Sequence, residues 1–477
     1  MRRPLALALA FALLPVAGAH AEDLLQTYQM ARTGDPQLAA AESGRLANKE
    51  GAVQARALLL PQIDGTADLT RSRSSGPSSQ TLTDVNGLPI GILPGTSTAE
   101  RRGRSYGLTV DQAVFDYSRI TRLRSENALS HAADFQLQSA GDSLVTRTSE
   151  AYFNVLVGIE TLAAAEASET ALKKQFDFAS KRLEVGLAPI TDVHEARAQY
   201  ERARANTIVT RNALEDAYQA LAEITGKPVR QLKALPEDFK PSLPEERDAD
   251  GWVKAAIDNN PALKAKQLQV ESSDIDVQTA RAGHLPTLYF NGTYGESASW
   301  GDTTFTGANF NSSFPLRGES RGPTFGLTLR VPIFSGGSVS SQVRQAAAQR
   351  DVAIDEMEQQ KRALERNTRN SYQTLVAGIS EVEARRLALL SARSAYSASQ
   401  VGLEVGTRTV IDVLINQQNL FNAQREFALA RYNFLQNRLL LEQAAGTLDI
   451  NDVEDINRLL TVDAEAQLAP ADNTTNQ

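Results

Sequence analysis

The sequence predicts an α+β membrane protein with four strands per chain, in which two or more copies combine their strands into a closed β-barrel. Ordered matches between the two halves indicate that the chain is internally duplicated. Residues 118–185 contain no proline and have a helical period. Four further segments alternate apolar and polar residues, as strands do. Four strands cannot close alone, because membrane barrels contain at least eight strands and an open edge in lipid leaves backbone groups unpaired. Three copies would give a twelve-strand barrel, and the same count would turn four helical columns per chain into a twelve-helix α-barrel continuous with the strands.

The composition excludes several functional classes. The 477 residues contain no cysteine, which excludes disulfide scaffolds, thiolate zinc sites and thiol catalysis. The formal net charge of −8 argues against a dominant nucleic-acid surface, so no nucleic-acid partner is expected. His194-Glu195 lacks the second histidine of a zinc-protease helix, and Gly226-Lys227 lacks the earlier glycine of a phosphate loop. We therefore expect no enzyme, no metal and no cofactor.

Residues 1–21 have the features of a secretory signal peptide. A basic start precedes an apolar run over residues 5–16, and residues 19–21 form an A-x-A cleavage site. The run is shorter than the ~20 residues that a membrane-spanning helix needs. We expect cleavage after residue 21, so that the mature chain leaves the cytoplasm.

The mature chain reads as two structural repeats, residues 22–226 and 251–446, joined by a proline-containing connector over residues 227–250. The string YGLTV at 106–110 corresponds to FGLTL at 325–329, and many further matches follow in order at an offset of about 220 residues. Single matches arise by chance, but an ordered series across both halves favours duplication. The last segment, 447–477, ends in a polar tail that we expect to be disordered.

Each half reads as helix, strand, loop, strand, very long helix, tight turn and helix. Asp35-Pro36 and Asn260-Pro261 each predict a helix N-terminus, with a capping side chain followed by proline at the first helical position. Long helices are expected over 118–185 and 338–405, and each would extend roughly 100 Å at ~1.5 Å per residue. Helices of this length are usual in coiled coils.

The strands are expected at about 62–73, 104–114, 287–300 and 323–334. Alternation of this kind fits barrel strands with an apolar outside and a polar lumen, although an ordinary half-buried sheet gives the same pattern. The Ser/Gly/Thr-rich stretches 72–104 and 296–322 are expected to be long loops, and residues 74–103 and 302–321 within them are expected to face the cell exterior. A wholly periplasmic coiled-coil scaffold or adaptor without its own pore is the alternative, and the strands and loops argue against it.

Several strings near the helix–helix turns identify a resemblance. GTRTVIDVL begins at Gly406, its counterpart GLAPITDV begins at Gly186, and ARYN follows at 430–433. The chain resembles the TolC family of outer-membrane export ducts in these strings, from about residue 23 to 460. The resemblance implies a homotrimer with a barrel in outer-membrane lipid and a long helical tunnel in the periplasm. It also implies export of drugs, small molecules or proteins by docking to a periplasmic adaptor and an inner-membrane transporter.

The resemblance further implies a closed entrance at the two helix–helix turns. In the family, polar links between an inner and an outer helix pair hold the entrance shut, and an acidic ring lines the constriction. Thr191 and Asp192 match the acceptors on the outer pair, and Arg408 matches the cation on the inner pair. Asp412 matches the first acidic residue of the ring.

Two positions of the constriction depart from the family pattern. Leu403 stands where a linking tyrosine is expected, and Ile415 stands where a second acidic residue is expected. We therefore expect fewer closing links and a single acidic ring beside an apolar collar. Helix capping is a compatible alternative role, because Thr409-x-x-Asp412 resembles a capping box and Asp192 lies in the first turn of a helix.

Overall fold

The structure is a computed structural model that describes residues 23–187, 189–243 and 247–464. The expected signal peptide and nearly all of the expected polar tail lie outside the described residues. The helices are α1 (Leu24–Gly34), α2 (Pro36–Ala57), α3 (Tyr117–Glu184), α4 (Ile190–Thr225), α5 (Ala249–Asn259), α6 (Pro261–Ala282), α7 (Ser338–Glu404), α8 (Val410–Ala445) and α9 (Ile450–Leu459). The strands are β1 (Gln62–Thr83), β2 (Pro89–Phe115), β3 (Lys233–Ala234), β4 (Thr287–Gly307), β5 (Asn311–Arg330) and β6 (Val462–Asp463).

The order α-α-β-β-α-α occurs twice, first from α1 to α4 and again from α5 to α8. The helices of the first series have 11, 22, 68 and 36 residues, and those of the second have 11, 22, 67 and 36. The two expected N-terminal caps are confirmed. The Asp35 carboxylate accepts a hydrogen bond from the N–H of Leu38 at 2.9 Å, and the Asn260 side chain accepts one from the N–H of Leu263 at 3.0 Å.

One compact unit, residues 47–131 and 268–355, contains a four-stranded antiparallel sheet with the order β1-β2-β4-β5. Its registers are regular over long stretches, as shown by the pairs Ile63↔Val110 and Leu288↔Leu329. In the described sheet, β1 and β5 are the outer strands, and each has one hydrogen-bonded neighbour.

The strands are longer than the sequence predicted, which corrects the expected loops. Most of 72–104 and 296–322 is strand, and only the short turns 84–88 and 308–310 separate the paired strands. The polar composition of these stretches predicts loops, but ladder hydrogen bonds come from the backbone and do not require apolar side chains. Threonine, which is frequent here, also favours strands.

The prolines of the sheet lie where a strand has a single ladder partner. Pro77, Pro315 and Pro323 lie in the outer strands β1 and β5, while Pro89 and Pro94 precede the part of β2 that also pairs with β4. Because proline has no N–H to donate, these positions are the ones at which a strand tolerates it.

The expected fourth strand ends earlier than predicted. Residues 331–334 are outside β5, whose pairing with β4 ends at Thr287↔Arg330. Pro332 has no N–H to extend the ladder, and Pro286 lies on the other side of the same end. The alternation in this segment therefore continues past the point where the backbone can remain paired.

The other compact unit contains the main hydrophobic core. Its described residues fall in 23–46, 132–267 and 356–464. The largest fully buried side chains include Tyr152 of α3 and Tyr432 of α8. The Tyr152 hydroxyl donates to the carbonyl of Lys233 and accepts from its N–H, both at 2.9 Å, which fastens β3 of the connector to α3. β3 in turn pairs with β6.

Among the described residues, no helix combines the length and the apolar character needed to cross a membrane.

Candidate functional site

The turn between α3 and α4 contains one of the two predicted groups of site residues. α3 ends at a left-handed glycine, Gly186 with φ of +73°, whose N–H donates to the carbonyl of Leu183 at 2.9 Å. The N–H of Leu187 donates to the carbonyl of Arg182 at 2.8 Å. These bonds satisfy carbonyls that the helix end would leave without partners, and glycine provides the positive φ without strain. Ala188 lies outside the described residues.

Thr191 and Asp192 lie in the first turn of α4, and both are exposed. The helix begins after Pro189, which offers no side-chain cap. A carboxylate in the first turn is favoured there by the helix dipole. The Thr191 hydroxyl lies 3.5 Å from an Asp192 carboxylate oxygen, which is at the limit for a hydrogen bond.

The turn between α7 and α8 has the same construction. Gly406 has φ of +77°, and the N–H groups of Thr407 and Arg408 both donate to the carbonyl of Gly402, at 2.8 and 3.1 Å. The stem of Arg408 crosses Gly402 closely, since a Cβ added to that glycine would lie 2.7 Å from Arg408 Cγ. The Arg408 side chain therefore starts beside the C-terminal end of α7, where the helix dipole favours positive charge.

Asp412 forms the predicted capping box with Thr409. Its carboxylate accepts hydrogen bonds from the N–H of Thr409 at 3.0 Å and from the Thr409 hydroxyl at 2.9 Å. The N–H of Asp412 donates back to the Thr409 hydroxyl at 3.2 Å. These backbone and side-chain hydrogen bonds hold the pKa of the Asp412 carboxyl below its usual value, so it is ionised at neutral pH.

Within the described part of one chain, Asp192 and Arg408 do not form a salt bridge. The link expected from the resemblance therefore stays a prediction. The capping role of Asp412 is confirmed, and its role in a ring stays a prediction, because a ring requires further copies of the chain.

The two apolar positions have different surroundings. Leu403 is half-buried and lines a cleft of about 1210 Å³ between α3, α4, α7 and α8 of the same chain. Ala163, Ala167 and Ala171 of α3 also line this cleft, and their small side chains leave it open. Ile415 is 55% exposed and does not line the cleft. Their place in an apolar collar stays a prediction.

Both turns expose apolar side chains, which we call the tip surface. These residues are Val185, Leu187, Ile190, Val405 and Ile411, each of which is at least half exposed. Contiguous exposed apolar residues mark surfaces that contact another molecule. The described part of the same chain leaves these five side chains exposed to solvent.

A buried ion-pair network between α3 and α8 was missed by the sequence reasoning. The Arg431 guanidinium binds both oxygens of Glu160 at 2.8 and 2.9 Å and donates to the carbonyl of Pro236 at 3.0 Å. The Tyr432 hydroxyl also donates to Glu160 at 3.1 Å. Burial raises the pKa of Glu160, and the neighbouring Arg431 charge opposes that shift. The string ARYN contains Arg431 and Tyr432, but only the fold shows which carboxylate they bind.

A second buried carboxyl, Glu442 of α8, lies near α9. It pairs with Arg438 at 3.1 Å, one turn earlier on the same helix. Burial, followed by the negative charge of Asp452, raises the pKa of Glu442 to about 7. This network and the Arg431 network both lie in the compact unit that contains the main core.

Among the described residues, no group of three or more His, Asp or Glu side chains could hold a metal ion. The features described so far define a class. The class is that of chains with two long helix pairs, each joined by a tight, exposed turn, and one antiparallel sheet that is open at both edges.

Comparison with known proteins identifies the family. The model of the outer membrane efflux protein family matches residues 27–227 and 252–447. Outer membrane protein TolC of Escherichia coli strain K12 is 34% identical over 448 residues, which is 92% of this chain and 85% of that protein. The proteases secretion protein PrtF of Dickeya chrysanthemi is 28% identical and covers 100% of this chain and 98% of its own length. The Campylobacter jejuni CmeC outer membrane channel has a similar fold, with a TM-score of 0.69 and 16% sequence identity. The match covers 92% of this chain and 90% of that channel.

This chain belongs to the outer membrane efflux protein family. The resemblance to TolC is thereby confirmed, and the protein is an outer-membrane export channel rather than an enzyme. The alternative of a periplasmic scaffold without its own pore does not agree with this membership.

Proposed function

We propose that three copies of this chain form a continuous export duct, with a twelve-strand barrel in the outer membrane and a twelve-helix tunnel in the periplasm. The proposal rests on the open sheet. Its outer strands, β1 and β5, are each hydrogen-bonded to one other strand in the described chain. Such edges are forbidden in lipid, so further copies must pair with them. Three sets of four strands give a closed barrel of twelve, and α3, α4, α7 and α8 give four helices per chain.

The two faces of the sheet support the same proposal. The registers place Ile63, Leu108 and Phe325 on one face, and all three are exposed in the single chain. The opposite face carries small and polar residues, among them Thr66 and Thr293. An apolar outside and a polar lumen are what a water-filled membrane barrel requires.

The domain organisation follows from an internal duplication. We assign residues 1–21 to the signal peptide, 22–226 and 251–446 to the repeats, 227–250 to the connector and 447–477 to the C-terminal segment. The repeated element order, the nearly equal helix lengths and the two separate matches of one family model support the assignment.

The tip surface is where the duct docks to its partners. We assign these partners to a periplasmic adaptor and an inner-membrane transporter, because the exposed apolar residues of both turns need an apolar counterpart. The cargo comprises drugs, small molecules or proteins. The relative named for protease secretion supports proteins among them.

The entrance is closed by links between helix pairs of neighbouring chains. Arg408 donates to Asp192 and Thr191, while Asp412 contributes one carboxylate per chain to a ring at the constriction. Leu403 and Ile415 provide the apolar collar. Support comes from the exposure of Asp192 and Arg408, which leaves both groups accessible to another chain.

Conductance in planar bilayers tests the closing links. Three links of about 1 kcal/mol each would shift the closed-to-open ratio by about 100-fold, so Arg408→Glu should raise conductance strongly. Arg197→Glu makes the same charge change at an exposed position two turns into α4, and it should leave conductance unchanged. Equal conductance in wild type and in a correctly assembled Arg408→Glu variant would make Arg408 an ordinary surface residue.

Ion selectivity separates the two roles of Asp412. Three carboxylates at a narrow opening favour cations, so Asp412→Asn should weaken cation selectivity without opening the channel. Thr409→Ala removes the cap partner but keeps the carboxylate, and it should cost about 1 kcal/mol of helix stability while selectivity is retained. Equal selectivity losses in both variants would leave Asp412 with a capping role alone.

A further inference from the structure

The apolar face of the sheet becomes charged part-way along the strands, where arginines outnumber the acidic side chains. The registers pair Arg71 with Arg102, Arg102 with Trp300, and Trp300 with Arg317. These four residues form one row across all four strands, which we call the arginine row. No register shift occurs between this row and the apolar residues of the same face, so the arginine row points to the same side as Leu108.

The arginine row lies beyond the apolar band, towards the hairpin turns. Along β5, Arg321 lies eight residues from Leu329, and Arg317 of the arginine row lies twelve residues from it. In a barrel whose strands tilt by about 40°, these separations are about 20 Å and about 30 Å along the axis. The exposed Val331 and Ile333 lengthen the apolar surface at the helix end. The apolar band of membrane barrels is about 25 Å tall, so the charges begin where it ends.

Two tyrosines at this border have hydrogen-bond partners within the chain. The Tyr106 hydroxyl donates to Glu296 at 2.8 Å, and Arg321 donates to the Tyr294 hydroxyl at 3.0 Å. Tyrosines at this height fit the aromatic belt found at membrane interfaces.

The three arginines of the row lie outside the ion pairs of the described chain, and Glu319 is the nearest acidic residue to Arg317 along the same face of β5. Arg71, Arg102 and Arg317 are exposed and form no ion pair with any described residue, whereas the neighbouring Arg73 pairs with Glu100 at 3.4 Å. Like charges directly opposite each other on paired strands destabilise a sheet. Arg71 and Arg102 occupy such a position, and an external anion would remove the repulsion.

We propose that the arginine row binds the phosphate group of an anionic lipid at the outer rim of the barrel. The proposal rests on the proposed function, since it requires this face to be in contact with lipid. Guanidinium groups bind phosphate oxygens through paired N–H donors. Trp300, 41% exposed in the same row, provides the amphipathic ring that settles at the headgroup level. The apolar residues below it receive the lipid chains.

Native mass spectrometry of the detergent-solubilised full-length mature protein tests the proposal. The delipidated protein is mixed with phosphatidylglycerol or with phosphatidylcholine, and bound lipid is counted per assembly. The wild type should retain several-fold more phosphatidylglycerol, and Arg102→Gln/Arg317→Gln should lose that preference. The matched control is Arg101→Gln/Arg330→Gln, which removes the same charge from the opposite face of the sheet and should keep the preference.

Three results would overturn the proposal: an unchanged preference in Arg102→Gln/Arg317→Gln, an equal loss in the control pair, or displacement of phosphatidylglycerol by an equal concentration of inorganic phosphate. The last result would indicate a site for the free anion instead of lipid. Light scattering of the same samples separates this proposal from the proposed function. A trimer without lipid preference contradicts only the arginine row, and a stable monomer contradicts the barrel.

Discussion

Arg431 and Glu160 form an ion pair inside the main core, with 4% and 17% of their side chains exposed. Burying two charges costs desolvation energy that their attraction offsets only in part, whereas removing one partner leaves the other charge uncompensated. The pair also binds the carbonyl of Pro236 in the connector, so it joins α3, α8 and the segment between the two repeats. The Arg431–Glu160 pair therefore holds the connector in position against α3 and α8.

Replacing Arg431 by methionine should destabilise the protein by about 3–5 kcal/mol, because Glu160 would remain buried without its counter-charge. Thermal unfolding followed by helix circular dichroism in detergent measures the effect. The control is Arg425→Met, which removes an exposed arginine paired with the adjacent Glu426 and should cost at most about 1 kcal/mol. Equal losses in the two variants would show that the buried network does not stabilise this unit.

Glu442 should make stability depend on pH. Its folded-state pKa of about 7 exceeds that of an unfolded glutamate, so the folded state holds the proton more tightly. The free energy of unfolding should therefore fall as pH rises from about 4 to about 7, by on the order of 3 kcal/mol from this group. Glu442→Gln should reduce that fall.

Denaturation of both proteins across this pH range provides the measurement, and the difference between them isolates Glu442. Glu454→Gln, an exposed change on α9, is the control and should follow the wild type. The account of Glu442 is wrong if its variant retains the full pH dependence.

At the scale of the elements, the helices were predicted closely and the strands were not. Residues 118–185 and 338–405 became α3 and α7 with bounds that differ by one residue at most, because proline-free periodicity and the stops at Gly186 and Gly406 are local signals. Strand ends depend on a partner strand, which sequence alone does not locate. Polar strands such as 74–83 therefore looked like loops.

Because the strands are longer than expected, only the short hairpin turns are predicted to be accessible from the cell exterior. Epitope tags inserted between Asn86 and Gly87, or between Ala308 and Asn309, fall in the hairpin turns and should be accessible on intact cells. A tag between Ser78 and Ser79 lies within paired β1 and should impair assembly, because it interrupts the ladder. Hairpin tags reached only after the outer membrane is permeabilised would reverse the proposed orientation.

The candidate site was predicted only in part for the same physical reason. The turns, the capping box and the first-turn position of Asp192 follow from local sequence, and the structure contains them. A link from Arg408 to another helix pair depends on the assembly, as does a ring of Asp412 carboxylates. Within one chain, the ion pair between Arg431 and Glu160 also could not be predicted from local sequence, because the two residues lie 271 positions apart.

At the scale of the whole molecule, the proposed duct depends on closure of the sheet. β1 and β5 each lack a second neighbour within the described chain, and the apolar face of the sheet is exposed. Both features are incompatible with a monomer in lipid, and both are resolved when copies of the chain pair edge to edge.

Light scattering of the detergent-solubilised mature protein, corrected for bound detergent, tests this claim most directly. If the sheet closes as proposed, the measured mass should be that of three chains at all protein concentrations at which the helical signal is retained. A stable, folded monomer under these conditions would contradict the barrel, the tunnel and the closing links together.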